Sequence, residues 1–365
     1  MERRSADKPF LIIALTLIGV GFFIFSSAAL GLLARTGVTF AESMVGQLVG
    51  LLVGTGALLV TMRIHYRFWN RYALYIFVAA ALLTLAVFIP GIGFTHAGAT
   101  RWLSLGPLSF QPAELLKFAS VIYFAAWLAG VKQKIGTFSY GVLPLAVLIG
   151  IVGALLVAQP DLDTLLVIAI AAVGMFVIGG GKWSHLLALT LVGIAGAAVL
   201  ALSFPYVQAR LTTFLDPTTD ALGASYQVRQ SLIAIGSGEL FGRGFGQSVQ
   251  KFNFLPEPVG DSIFAVFAEE WGFAGAVVLV GLFVALGLRG FKIAARSPNT
   301  FTTLMVSGFV LLILVQSFMN IAAMLALLPL TGMPLLLVSQ GGSALMTTLA
   351  ALGIILNVSQ YARQP

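Results

Sequence analysis

Long apolar runs alternate with short polar joints along the whole chain. A helix crosses the hydrocarbon core of a bilayer in roughly 20 predominantly apolar residues. Ten runs meet that length, at approximately 10–34, 43–63, 72–93, 112–131, 138–158, 164–180, 183–204, 262–288, 302–328 and 335–358. The sixth and seventh nearly touch, joined only by Gly179, Gly180, Gly181 and Lys182 in a tight turn. The pattern predicts an all-α integral membrane protein. About ten transmembrane helices form one polytopic domain over 1–365, with no soluble domain, low-complexity tail or strong internal repeat.

Composition agrees with that solvent. Hydrophobic residues make up 59% of the 365 and charged residues only 9%, against roughly 25% charged in a soluble domain. No soluble fold could hide so much apolar sequence and still present a polar surface. The 40 glycines suit membrane helices. There is no cysteine, so disulfides, thiol chemistry and thiolate metal sites are excluded, and three scattered histidines argue against a His-rich site. The start, Met1 to Lys8, is short and charged, and the run after it has no small-residue cleavage site. It reads as a first helix and not a removed signal.

The net charge of +7 points to orientation, not to nucleic acid, because Lys and Arg concentrate on the cytoplasmic side of membrane proteins. With the N-terminus inside, Arg3, Arg4, Lys8, Arg63, Arg67, Arg71, Lys132, Lys134, Lys182, Arg289, Lys292, Arg296 and Arg363 are cytoplasmic. Arg35, Arg101, Arg210, Arg229, Arg243 and Lys251 fall outside. An even number of spans gives this alternation and places both termini in the cytoplasm.

Two outer segments break the economy of the rest. Residues 94–111 are aromatic and polar, and 205–261, between the seventh and eighth predicted helices, form a large extracytoplasmic loop. Loops beyond roughly 12–15 residues are usually functional or disordered. Val228, Leu232 and Ile235 recur at helical spacing, so part of the long loop is expected to lie on the membrane surface as an amphipathic helix.

Ionisable residues within apolar helices are the next candidates, because their burial is costly. Glu114 and Lys117 stand three apart on one helical face, close enough to pair. They form either a structural ion pair or a cation offered to an anionic group. Glu269 and Glu270 are adjacent, point about 100° apart, and read first as polar groups binding helices together. Asp261 opens the eighth helix behind Leu255, Pro256, Glu257, Pro258, Val259 and Gly260. It is either an N-terminal cap or a partly desolvated general base.

Residues 236–246 are glycine-dense but lack a P-loop's Gly-Lys-Ser/Thr, so a turn beside a lipid headgroup or sugar fits better than a nucleotide site. Gln159, Pro160, Asp161, Leu162 and Asp163 make an acidic outer turn; Ser339, Gln340, Gly341, Gly342 and Ser343 interrupt the tenth helix with small polar residues suited to close packing. No Ser-His-Asp arrangement or zinc-helix motif is present. The polar residues crowd toward the outer side, which favours an extracytoplasmic or outer-leaflet substrate over an ion pathway.

These stretches, taken in order, resemble one family. They are Arg101-Trp102-Leu103; Phe110-Gln111-Pro112-Ala113-Glu114 with Lys117; Gln159-Pro160-Asp161; Gln230 to Gly238 running into Leu240-Phe241-Gly242-Arg243-Gly244; Phe254-Leu255-Pro256-Glu257 leading to Asp261 and Glu269-Glu270; and Pro329 to Pro334 followed by Ser339 to Ser343. Over essentially its whole length the chain resembles the SEDS family (shape, elongation, division and sporulation), leaning to its rod-shape, elongation branch over its division branch. The short N-terminus is a further lean that way. The chain departs from the family pattern at Gln340, Ala344, Asp163 and the Val259-Gly260 pair.

The resemblance implies a peptidoglycan glycosyltransferase of the bacterial cytoplasmic membrane. It would polymerise lipid II into glycan strands on the outer face, for elongation and rod shape. Its expected partners are a class B penicillin-binding protein, which is a transpeptidase, and other elongation-complex membrane proteins, with no nucleic acid. By the same resemblance Asp261 is the general base. Arg101 and Lys117 are the first cations for the leaving pyrophosphate, Arg229 and Arg243 weaker ones, and Trp102, Glu114, Glu257 and Ser343 complete the substrate-binding set. No cofactor is certain, although a divalent cation, Mg or Mn, could share the charge. The alternatives are a lipid II flippase and a non-catalytic scaffold for the transpeptidase.

Overall fold

The computed structural model describes residues 5–34, 40–96, 99–105, 108–216 and 224–362. Arg3, Arg4, Arg35 and Arg363, used above for orientation, lie outside the described residues.

The apolar runs fold as helices: α1 (Lys8–Ala29), α2 (Phe40–Arg63), α3 (Tyr66–Leu85), α4 (Pro112–Gly130), α5 (Leu143–Ala158), α6 (Leu162–Ile178) and α7 (Trp183–Ser203). Then come α8 (Pro205–Leu215), α9 (Ala224–Ser237), α10 (Ile263–Ala295), α11 (Thr300–Met324) and α12 (Gly342–Ser359). Among the described residues nine helices are long and apolar enough to cross a membrane. The shorter α6 has 17 residues, at the low end of a spanning length. The protein is a multi-pass, all-α integral membrane protein.

α4, α11 and α12 form the buried centre, whereas most residues of α2 and α7 face outward. Their exposed leucines and valines suit a lipid surround, which is as apolar as the side chains.

Three places depart from the sequence expectation. The 94–111 segment is not plain loop. It forms an antiparallel sheet of β1 (Gly93–His96), β2 (Ala99–Leu105) and β3 (Leu108–Phe110), with Phe94 opposite Trp102 and Leu103 opposite Phe110. Leu103 is buried and anchors it. The tenth helix, expected from 335, begins only at Gly342. Residues 330–341 are irregular yet carry buried Met333, Leu335, Leu336, Leu337 and Val338. Hydropathy marks that run as apolar, but its end is tied to the segment before α10, where Gln340 N donates to the Val259 carbonyl and Ser339 Oγ to the Gly260 carbonyl. The third departure is the glycine-dense run.

That run, expected beside a headgroup or sugar, lies against a break in α10. Gly272 sits at φ 64, ψ −167 inside that helix, a region essentially reserved for glycine. The break frees four backbone groups, and each finds a partner in the loop. Arg243 N and Gly244 N donate to the carbonyls of Glu269 and Glu270 at 3.0 and 2.9 Å, while Phe273 N and Ala274 N donate to those of Glu239 and Leu240 at 2.9 and 3.0 Å. Irregular backbone near a membrane persists only where its polar groups are met in this way. The approach is too close for side chains: a Cβ on Gly242 would lie 2.2 Å from the Glu270 carbonyl oxygen.

The two adjacent glutamates complete this clasp. The sequence reading has them diverge, yet both reach the same loop. Glu269 accepts from Ser248 Oγ at 2.5 Å and Val249 N at 3.0 Å. Glu270 accepts from the fully buried Lys251 at 2.7 Å and from Ser27 of α1. The loop curls around this end of the helix, so it meets both directions.

Candidate active site

Four connections meet at one end of the bundle: the β-sheet before α4, the α5–α6 turn, the segment carrying α8 and α9, and the irregular stretch before α12. Arg101 of β2 reaches the α5–α6 turn. Its Nε donates to the Gln159 carbonyl at 3.0 Å, its Nη2 donates to the Pro160 carbonyl, and its Nη1 lies 3.9 Å from Asp161. Gln111, just before α4, donates to the same Asp161 at 3.3 Å. Asp161 in turn caps α6 through Thr164 N. Two residues further on, Asp163 accepts from Arg210 of α8 at 2.7 Å.

Asp261 faces this charged belt. It lies two residues before α10, on a segment held from three sides. Asn320 of α11 donates to the Asp261 carbonyl and to the Met333 carbonyl, both at 2.8 Å. Ser339 Oγ donates to the Gly260 carbonyl at 2.6 Å, and Gln340 N to the Val259 carbonyl at 2.8 Å. Gln227 of α9 donates to Ser262 Oγ at 2.9 Å. The backbone is therefore fixed, whereas Asp261 Oδ1 is shielded from solvent and has no hydrogen-bond partner among the described residues. Burial pushes the carboxyl up to about 6, the nearby Glu257 adds to the rise, and Gln227 opposes it. The backbone amides of Asp261 and Ser262 also act on the carboxyl, yet Oδ1 stays idle and poorly solvated, which is the condition of a base.

The other predicted residues divide. Arg101, Glu257 and the half-buried Trp102 belong to this end. Lys117 and Glu114 do not open onto it. They form a buried pair at 2.8 Å, with Lys117 also donating to Gln316 at 2.6 Å. They reach Asp261 only through a relay: Gln316 donates to the Pro334 carbonyl at 3.1 Å, beside the Met333 carbonyl that Asn320 holds. Arg243 points to the α10 clasp, its Nε 3.7 Å from Glu269. Arg229 lies exposed on α9, its Nε donating to the Ser225 carbonyl at 3.4 Å. Ser343 is buried in the first turn of α12.

Sequence reasoning missed Gln227, Gln316, Asn320 and Arg210 as members of this end. Gln316 and Asn320 carry a legible signal, since two amides four residues apart in an otherwise apolar helix share one face. Arg210 has no local signal. Among the described residues no three His, Asp or Glu side chains group as a metal site. Asp161 and Asp163 are each engaged by an arginine.

The fold and this end of the bundle define a multi-pass membrane enzyme whose polar residues gather at one face. The family model described as "Cell cycle protein", for FtsW, RodA and SpoVE, matches residues 8–364, and the chain belongs to that family, the SEDS family. It is 35% identical over 363 residues, 99% of both chains, to Stage V sporulation protein E of Bacillus subtilis. It is 39% identical over 317 residues to a probable peptidoglycan glycosyltransferase FtsW of Aromatoleum aromaticum, covering 86% of this chain and 77% of the relative. The crystal structure of the Thermus thermophilus rod shape determining protein RodA superposes with a TM-score of 0.70 at 30% identity, over 99% of this chain and 98% of that one. A chain from work on the structural coordination of polymerization and crosslinking by a peptidoglycan synthase complex gives 0.78 at 29% identity, over 99% of both.

Proposed function

We propose that this chain polymerises lipid II into glycan strands at the outer face of the bacterial cytoplasmic membrane, with Asp261 as general base. The glycosyltransferase class comes from the family and its named relatives. The single observation that supports the base is the Asp261 carboxylate. It has a fixed backbone, an unpartnered Oδ1 and a pKa raised to about 6, near enough to neutrality to take and return a proton.

In the proposed step Asp261 removes the proton from an acceptor sugar hydroxyl. That oxygen bonds to the anomeric carbon of the donor, and the bond from this carbon to the pyrophosphate oxygen breaks. Undecaprenyl pyrophosphate leaves with the electron pair. Charge grows on the leaving group, so fixed cations at this end lower the barrier; Arg101 supplies one. The Gln316–Asn320 relay keeps Asp261 aimed, which makes Lys117 and Glu114 positioning residues. The similarity to a chain of a peptidoglycan synthase complex supports a class B transpeptidase as partner, and the elongation role is the branch this reading leans to, although elongation and division relatives share the motifs.

The test is polymerisation of purified lipid II by wild-type and Asp261→Asn protein, with and without a class B partner. The wild type is expected to form glycan, and the variant to bind lipid II without forming it. Normal polymer from the variant would remove Asp261 from the chemistry. No polymer from the wild type under any condition would remove the polymerase reading.

A further inference from the structure

Arg210 is unaccounted for by the step above, and its surroundings are specific. Its Nη1 is taken by Asp163, but its Nη2 turns toward Gly332. A Cβ placed on Gly332 would lie 3.9 Å from Arg210 Nη2 and 4.0 Å from Asp261 Oδ2. Gly332 has φ +62, so other residues would be strained there, and its missing side chain leaves open the space between the guanidinium and the carboxylate. Beside Arg210, one turn back on α8, stands Tyr206. Its hydroxyl is shielded from solvent and has no partner among the described residues. Burial raises its pKa against the pull of Arg210 and Arg101, so it stays a donor. A small, mainly apolar pocket of about 30 Å³ adjoins the same guanidinium, lined by Phe214, Val228, Ala326, Leu328, Pro329 and Leu330.

A forked cation and an idle hydroxyl donor, with apolar side chains beside them, match the phosphate head of an amphiphile. Arg suits such a group because its fork binds two oxygens at once. We propose that Arg210 and Tyr206 hold the pyrophosphate of the lipid-linked donor, and that Asp163 parks the guanidinium until that anion arrives. This rests on the glycosyl-transfer reading and adds to it the contact for the leaving group. Asp163 is then a competitor of the substrate, not its ligand.

Competition supplies the test, because it gives two partners of one ion pair opposite effects. Binding of undecaprenyl pyrophosphate, which carries no sugar, is measured on detergent-purified Arg210→Ala, Arg210→Lys, Tyr206→Phe and Asp163→Asn, with undecaprenyl monophosphate as the comparison ligand. Loss of one charge-assisted contact corresponds to about tenfold in affinity. Arg210→Ala is expected to weaken pyrophosphate binding about tenfold or more, Arg210→Lys to restore part of it, and Tyr206→Phe to weaken it less. Asp163→Asn should keep or tighten binding. If Asp163→Asn weakens it as Arg210→Ala does, the ion pair is only structural and the proposal falls. Unchanged binding by Arg210→Ala overturns it too. The assay needs no turnover, so these outcomes are separate from a failure of the wild type to polymerise lipid II.

Discussion

At the scale of single residues, Asp261 carries the sharpest expectations. Removing a general base costs roughly 10²–10⁴ in rate, so Asp261→Asn should lower lipid II polymerisation at least about 100-fold in a gel assay of glycan products. Only the ionised carboxylate accepts a proton. With a pKa near 6, wild-type activity should rise through that pH and level off above it. The same shift has a stability consequence of opposite sense. The folded state holds the Asp261 proton up to about 6, whereas the unfolded chain releases it at its ordinary 3.8. Between those values the native protein binds more protons, and stability falls as pH rises. Asp261→Asn should therefore unfold later than wild type at neutral pH, by on the order of 1–3 kcal/mol. The gap should close as pH drops toward the unfolded value, as thermal melts at several pH values would show.

The clasp at the break of α10 is a matter of elements. Gly242→Ala would drive a methyl into the Glu270 carbonyl, where backbone cannot yield, and should destabilise the fold or abolish expression. Lys251→Ala leaves Glu270 buried beside Ser27 without its cation. Removing one partner of a buried pair costs roughly 3–5 kcal/mol, so this variant should show a clear drop in melting temperature. Lys251→Met with Glu270→Gln should recover part of the loss, since no lone charge then remains. Glu114 and Lys117 differ in kind: their pair supports α11, and through Gln316 and Asn320 the aim of Asp261.

Over the whole molecule, sidedness is the open expectation that cysteine chemistry can check, because the native chain has no cysteine. Single cysteines at the exposed positions Gln247 and Gln133 should respond oppositely to a membrane-impermeant maleimide on intact cells. Gln247→Cys should label from outside and Gln133→Cys only after lysis. Labelling of both from outside would contradict the orientation read from Lys and Arg.

What the sequence determined by itself follows from local and additive physics. Spanning helices were legible because hydrophobic length marks membrane-crossing segments, and α9 was legible as a helix because its apolar residues keep helical spacing. Asp261 stood out because a carboxylate at the mouth of an apolar helix is costly. The tertiary structure decided everything that depends on distant backbone meeting. Hydropathy reads 335–341 as helix, yet Ser339 Oγ and Gln340 N serve the segment before α10, 79 or more residues away in sequence. The glycine-dense run looked like a headgroup turn, although its freed partners are the carbonyls of a helix broken at Gly272. Arg210 looked like one outer charge among several; only the approach of α8 to Asp163 and Gly332 sets it beside Asp261. A side chain's cost of burial is written in its own chemistry, but the partner that offsets this cost is chosen by the fold.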